Sequence, residues 1–480
     1  MGTKFIKNVL HMFSGNLLLL LIAFISMPIY IRAVGLSDYA ILGIVFSFFD
    51  LILMLDLPFF LTLVKSWQAT KIKRNAAFEQ LFSTIYTFIL LTNAIIFIPL
   101  VLLVFILSNW IYKNPSLIPF YLLGLVVFII NRASNYLELF LRSRKEEVWI
   151  QKAFIVSRTS EFLFAMAFLF IFNLGVMSIF LSVVIKETIS YSVLSYSSRK
   201  LIKYSFSFNP SILIEPFKKY TFHEYLYKST DNLTWRSGLF VSTFFLSRDM
   251  IGILTIFFSL EENLRRFTSK MIFSQLIPIF SYLLSNKEFF KIKRIIQNIN
   301  FFLLLLSIFT VISLITIGSP IYYTYYGEQL KGTYFAFLMF IFSVLTYICS
   351  IPSITYLFVS NPKLLSKINV YLFLLFLIIL VILVKTHSIF GLIITYLIYF
   401  SVYRLIISFL IKKSFRNIFF AERNQIITLL ILQIIGIFIY SKSISIEPFF
   451  MLLYFLIITI LVTALNLKKI IAKYKFLMKV

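Results

Sequence analysis

Long apolar stretches alternate with short, basic gaps along the whole chain. About fourteen runs approach or exceed the roughly 20 residues that an α-helix needs to cross hydrocarbon. The first seven cover roughly residues 9–33, 39–64, 82–107, 117–141, 153–174, 176–197 and 229–248. The second seven cover roughly 251–284, 297–319, 333–359, 368–386, 389–411, 425–441 and 447–467. The first run is too long for the apolar part of a cleavable signal, and no small-residue cleavage site follows it, so it is expected to remain as a helix. The pattern predicts an all-α integral membrane protein.

Composition agrees. The 480 residues are 60% hydrophobic with 58 Phe and 27 Tyr, and mean hydropathy is +0.95. A soluble domain is about half apolar and could not bury this excess. The single Cys349 lies inside a run, which leaves no disulfide framework and no cysteine metal site. No nucleotide-binding P-loop is present, which argues against direct use of ATP.

The net charge is +26, and its placement sets an orientation. With the N-terminus inside, alternate loops collect the cations, as the positive-inside rule requires. They include Lys65, Lys71, Lys73 and Arg74; Arg142, Arg144, Lys145 and Lys152; and Lys287, Lys291, Lys293 and Arg294. Both termini are then cytoplasmic. Charges spaced at loop ends meet anionic lipid headgroups and do not form a folded basic face, so nucleic acid is not an expected partner.

The longest polar connection, 199–228, follows six runs and divides the chain. The expected organisation is an N-terminal six-helix lobe (1–198), a cytoplasmic linker (199–228), a C-terminal six-helix lobe (229–411), and two extra helices with a basic tail (412–480). An even number of helices per lobe implies a parallel pseudo-repeat about an axis along the membrane normal.

Ionisable groups at membrane depth cost at least about 2.5–3.5 kcal/mol each and normally face water or a partner. They concentrate in the second and the fourth to eighth runs. The eighth places Glu261, Glu262, Arg265, Arg266 and Ser269 within about 140° of arc. Two arginines at one depth suit an anionic group, because guanidinium binds phosphate bidentately. The i,i+4 spacing of Glu261 with Arg265 and of Glu262 with Arg266 equally fits a self-paired ladder. The fourth run adds Asn131, Arg132, Asn135 and Glu138, the fifth Arg158 and Glu161, the sixth Lys186 and Glu187, and the seventh Asp231 and Arg236. Each set admits packing between helices as an alternative. Asp50 stands mid-run with no cation within a turn; it suits reversible protonation or ion coupling, or else pairs with a cation from another helix such as Lys186.

Met27-Pro28, Arg32 and the stretch VGLSDYAILGIVFSFFDLILMLDLP (Val34 to Pro58) resemble the polysaccharide repeat-unit flippases, O-antigen flippases among them, of the multidrug/oligosaccharidyl-lipid/polysaccharide exporter superfamily. Pro58 stands where that family usually carries glycine. STDNLTWRSGLFVSTFFLSRDMIG (Ser229 to Gly252) and SQLIPIFSYL (Ser274 to Leu283) are similar again. The resemblance implies a two-lobed transporter of the bacterial inner membrane that flips a diphosphate-linked oligosaccharide from the cytoplasmic to the outer leaflet. Arg132, Arg158, Lys186, Arg236, Arg265 and Arg266 would hold the substrate. Asp50, Glu138, Glu161, Glu187, Asp231, Glu261 and Glu262 would couple ions or pair with those cations. A proton or sodium gradient is the expected energy source, with no cofactor, metal or catalytic residue. A polysaccharide polymerase and a chain-length regulator are the expected protein partners. A peptidoglycan-precursor flippase and a multidrug exporter are the neighbouring alternatives. A membrane glycosyltransferase or polymerase fits less well, since no sizeable outer loop is present to carry catalysis.

Overall fold

A computed structural model describes residues 18, 21–52, 63, 76–144, 146–202, 206–216, 222–265, 271–327, 330 and 332–414. The described residues are helical with no strand. The helices are α1 (Leu21–Val34), α2 (Leu36–Ile52), α3 (Ala76–Ile106), α4 (Ile118–Ser143), α5 (Glu147–Phe170), α6 (Val176–Leu201) and α7 (Phe222–Ser242). They continue as α8 (Arg248–Arg265), α9 (Met271–Ser285), α10 (Phe289–Ser313), α11 (Tyr334–Ile348), α12 (Ile351–Ser360) and α13 (Pro362–Ser414). The thirteenth and fourteenth runs lie outside the described residues, as does Pro58.

Lipid explains the helix surfaces. The most apolar stretch of α3 is only 22% buried, and Ile95, Ile98 and Leu102 stand out from it. Water would penalise that face, whereas hydrocarbon does not, and the helix satisfies its own backbone groups. Among the described residues six helices are long and apolar enough to cross a membrane alone, and two bent pairs raise this to as many as eight.

The breaks between helices follow local chemistry. Gly35 supplies φ +85° at the α1–α2 turn, where the chain bends by 119°. The eleventh and twelfth runs appear as the continuous α13, interrupted where Ser388 takes φ 56°. The tenth run becomes α11 and α12, bent by 41° just before Pro352. The eighth run includes α8 and α9, and residues 266–270 between them lie outside the described residues.

Two compact units emerge. The N-terminal unit contains α1 to α7, α8 through Asn263, and Pro362–Lys385 of α13. The C-terminal unit contains Leu264–Asn361 and the part of α13 from Thr386. In the N-terminal unit α6 packs along α4 and α5, while α2 packs against α4 and α7. Small residues bring α2 close to its neighbours. A Cβ on Gly43 would strike the Thr255 side chain of α8, and one on Gly252 would strike the Leu36 carbonyl oxygen. A Cβ on Gly124 of α4 would meet Phe49 at 2.6 Å. Such glycine contacts let membrane helices approach closely. Much of the aromatic excess is ring-on-ring packing, as in Phe46 with Phe180 at 5.3 Å and Phe49 with Phe128 at 5.6 Å.

Candidate functional site

The close packing of α2 carries Asp50 into the interior of the N-terminal unit. There Asp50 Oδ2 meets Nε of Arg236 on α7 at 3.1 Å, and Nη2 of the same guanidinium donates to Glu262 Oε2 on α8 at 2.6 Å. One arginine thus joins three helices through two carboxylates. Its planar fork permits this, since separate N–H groups serve each acid. Glu261, fully buried beside Glu262, adds a third carboxylate within electrostatic reach of Arg236.

A second cluster continues from the first. Arg158 Nη1 on α5 donates to Glu161 Oε2, one turn along, at 2.7 Å. Arg158 also lies within electrostatic reach of Glu262 and Glu187. On α6, Lys186 Nζ contacts Glu187 Oε1 at 2.8 Å, and the other oxygen of Glu187 accepts from Asn131 Nδ2 on α4 at 3.1 Å. Asn131 accepts in turn from Asn135 Nδ2 at 2.7 Å. Two tyrosines border the acids: Tyr39 hydrogen-bonds Ser259, and both Tyr39 and Tyr30 are within electrostatic reach of Glu161.

The result is a polar network linking α1, α2 and α4 to α8 in one unit. Five carboxylates (Asp50, Glu161, Glu187, Glu261, Glu262) face three cations (Arg158, Lys186, Arg236), so the fully ionised set carries a formal −2. The cations are not sealed off: Arg158 keeps 26% of its side chain exposed, and Lys186 and Arg236 each 16%.

Several expected residues fall elsewhere. Arg132 is buried between α3 and α4, where it donates to Asn93 Oδ1 at 2.5 Å and Thr92 Oγ1 at 3.4 Å and lies over the Phe128 ring. Glu138 pairs with Arg142 at 2.6 Å near the end of α4, with Glu147 3.5 Å from the same guanidinium. Asp231 is half-buried on α7. Arg265 is buried at the end of α8 and belongs to the C-terminal unit; Arg266 lies outside the described residues. The partner of Asp50 is Arg236, not Lys186, and Glu262 finds Arg236 across helices. Sequence reasoning missed Tyr30, Tyr39, Ser259 and Asn93, whose residue types carry no signal of their own in an aromatic-rich chain. Among the described residues no three His, Cys, Asp or Glu side chains converge to hold a metal ion.

A multi-pass helical bundle with charged groups linked across its interior defines the class of membrane protein, and the fold sharpens it. This chain has the fold of the transporters of the superfamily known by the initials MOP. It is similar to the lipid II flippase MurJ in an inward closed conformation, with a TM-score of 0.65 at 14% identity, covering 96% of this chain and 99% of that one. It is also similar to the MATE multidrug transporter DinF-BH in a ligand complex (TM-score 0.66, 18% identity, 88% of this chain and 98% of that one). A third is the Vibrio cholerae MATE transporter VcmN in its bent form (TM-score 0.59, 14% identity, 86% and 96%). No protein-family model and no curated protein sequence matches the chain.

Proposed function

We propose that this protein is a lipid-linked oligosaccharide flippase of the bacterial inner membrane. It would move undecaprenyl-diphosphate-linked repeat units of a surface polysaccharide, O-antigen or another, from the cytoplasmic to the outer leaflet, with both its termini cytoplasmic. The observation that carries this reading is that Arg158, Lys186 and Arg236 are each held by carboxylates while remaining partly exposed. A carboxylate is a weak stand-in for phosphate. Each cation could exchange it for a diphosphate oxygen, and guanidinium would gain a bidentate partner in doing so. The released acids would take up protons, coupling transport to a proton gradient. The fold likeness to the lipid II flippase over 96% of the chain supports a lipid-borne cargo. A polysaccharide polymerase and a chain-length regulator would act on the delivered unit.

A second reading is favoured by the excess of acids. Five carboxylates against three cations would also suit export of a cationic compound, as in a multidrug transporter of this fold.

The test is the sidedness of a fluorescent undecaprenyl-diphosphate oligosaccharide in proteoliposomes, for the parent and for Arg158→Gln with Lys186→Gln. Protein-dependent translocation that the double variant loses is expected. Translocation absent from the parent with several oligosaccharides, alongside uptake of a cationic dye, would replace this reading with the second.

A further inference from the structure

The C-terminal unit contains a polar pocket that the charge network does not reach. It lies between α10, the α11–α12 junction and the part of α13 beyond Ser388. Asn300, Cys349, Ser350, Ser353, Arg404 and Ser408 line it. Among the described residues that line it, Arg404 is the only charged group and none is a carboxylate. Among the described residues Arg404 makes no ion pair or hydrogen bond, and the hydroxyls of Ser353 and Ser408 make no hydrogen bond either. Ser350, by contrast, donates to the Thr346 carbonyl at 3.3 Å, and Cys349 Sγ sits 3.3 Å from Ser307 Oγ.

Arg404 lies seven residues from the end of the twelfth run, about 10 Å inside it at the helical rise. A guanidinium at such depth needs a counter-charge or water. The pocket determines which guest fits. Its interior space is ≈ 20 Å³, above the ~10–15 Å³ needed by one water-sized body. A single monatomic ion fits such a space. The groups around the space include a guanidinium fork, which only donates, and two hydroxyls free to turn toward a guest. Donors converging on one cationic centre select an anion, and hydrogen bonds from guanidinium to an anion are the stronger, charge-assisted kind.

We propose that Arg404, with Ser353 and Ser408, binds a small inorganic anion of chloride size in the C-terminal unit. The site shares no residue with the carboxylate-rich network. Bound anion neutralises the half-buried arginine and ties α12 to α13 through it, so it stabilises this unit irrespective of the protein's cargo.

The chain carries its own reporter, because its single cysteine lines the pocket. Thermal unfolding of the full chain in detergent would be followed by reaction of Cys349 with a thiol-reactive fluorophore, while sodium chloride replaces sodium gluconate at constant ionic strength. The expected result is a saturable rise in Tm with chloride or bromide, lost in Arg404→Gln. Ser353→Leu keeps the arginine but fills the space, and should lose the response too; it carries the test if Arg404→Gln does not fold. Chloride should also slow labelling of Cys349 in the folded parent by a small methanethiosulfonate. Equal Tm in chloride and gluconate for the parent, or a chloride response retained in Arg404→Gln, would overturn the proposal. A variant destabilised equally in both salts, beside a parent indifferent to chloride, would mean that the chain itself supplies the counter-charge.

Discussion

Arg236 illustrates how a half-buried charge becomes structural once two helices depend on it. Its guanidinium is the link between Asp50 of α2 and Glu262 of α8. Removing one partner of such a cluster leaves uncompensated charge, and the usual cost is about 3–5 kcal/mol. With Asp50 24% and Glu262 28% exposed, the lower end applies, so Arg236→Gln should lose about 3 kcal/mol of stability. Adding Asp50→Asn and Glu262→Gln to the same chain should restore most of it. Thermal unfolding of the three proteins checks both statements, and a single variant as stable as the parent would show that the cluster is solvated. His223, near the start of α7, offers a pH test. Burial and the nearby Lys363 and Lys367 hold its pKa below the usual imidazole range. Protonation therefore costs more in the folded than in the unfolded chain. Stability is retained above the unfolded pKa of about 6.5 and falls as pH drops through it. His223→Gln should flatten the Tm profile between about pH 7 and pH 5 relative to the parent; parallel profiles would refute the assignment. At this scale the sequence identified which residues are charged at depth, but not their partners. Asp50 and Arg236 are far apart in sequence, and only the packing of α2 on α7 brings them together.

Helix boundaries were more legible than contacts, because they depend on local composition. The interruption of α13 at Ser388 falls in the gap expected between 386 and 389, and the Gly35 turn falls between the first two runs. The eighth run was less legible. Glu261, Glu262, Arg265, Arg266 and Ser269 read as one polar stripe on a continuous helix; Glu261, Glu262 and Arg265 fall in the last turns of α8, and Arg266 and Ser269 lie outside the described residues. Helix packing yields a paired prediction about two glycines. At Gly252 an added Cβ would collide with the Leu36 backbone, which has little room to yield because α2 is packed on other sides. Gly252→Ala should therefore cost about 1–3 kcal/mol, as overpacking does. At Gly35 the space is open and only the φ of +85° resists a side chain. Gly35→Ala should cost about 1 kcal/mol, as an αL residue with a Cβ does. Chemical stability measured for both variants should rank them in that order, with equal losses contradicting the contact geometry.

At the scale of the whole molecule, the carboxylates around Arg158, Lys186 and Arg236 would decide how the proposed transport responds to protons. Ionised carboxylates occupy Arg158, Lys186 and Arg236 and compete with an anionic diphosphate for them, so proton uptake and anion binding would reinforce one another. For a cationic substrate the sign reverses: protons and substrate compete for the same carboxylates. The two readings therefore predict opposite slopes on one plot. If the cargo is a diphosphate-linked oligosaccharide, its apparent affinity should rise as pH falls from 8 to 6 on the loading side. Asp50→Asn with Glu262→Gln, which removes the two carboxylates that hold Arg236, should shift the parent's alkaline curve toward its acidic one. For a cationic cargo affinity should fall with acid, and the same double variant should bind poorly at every pH. Substrate-induced quenching in detergent, measured across that pH range with one lipid-linked oligosaccharide and one cationic dye, separates the two by the direction of the slope. An affinity independent of pH for both would show that the five carboxylates hold helices together and take no part in loading.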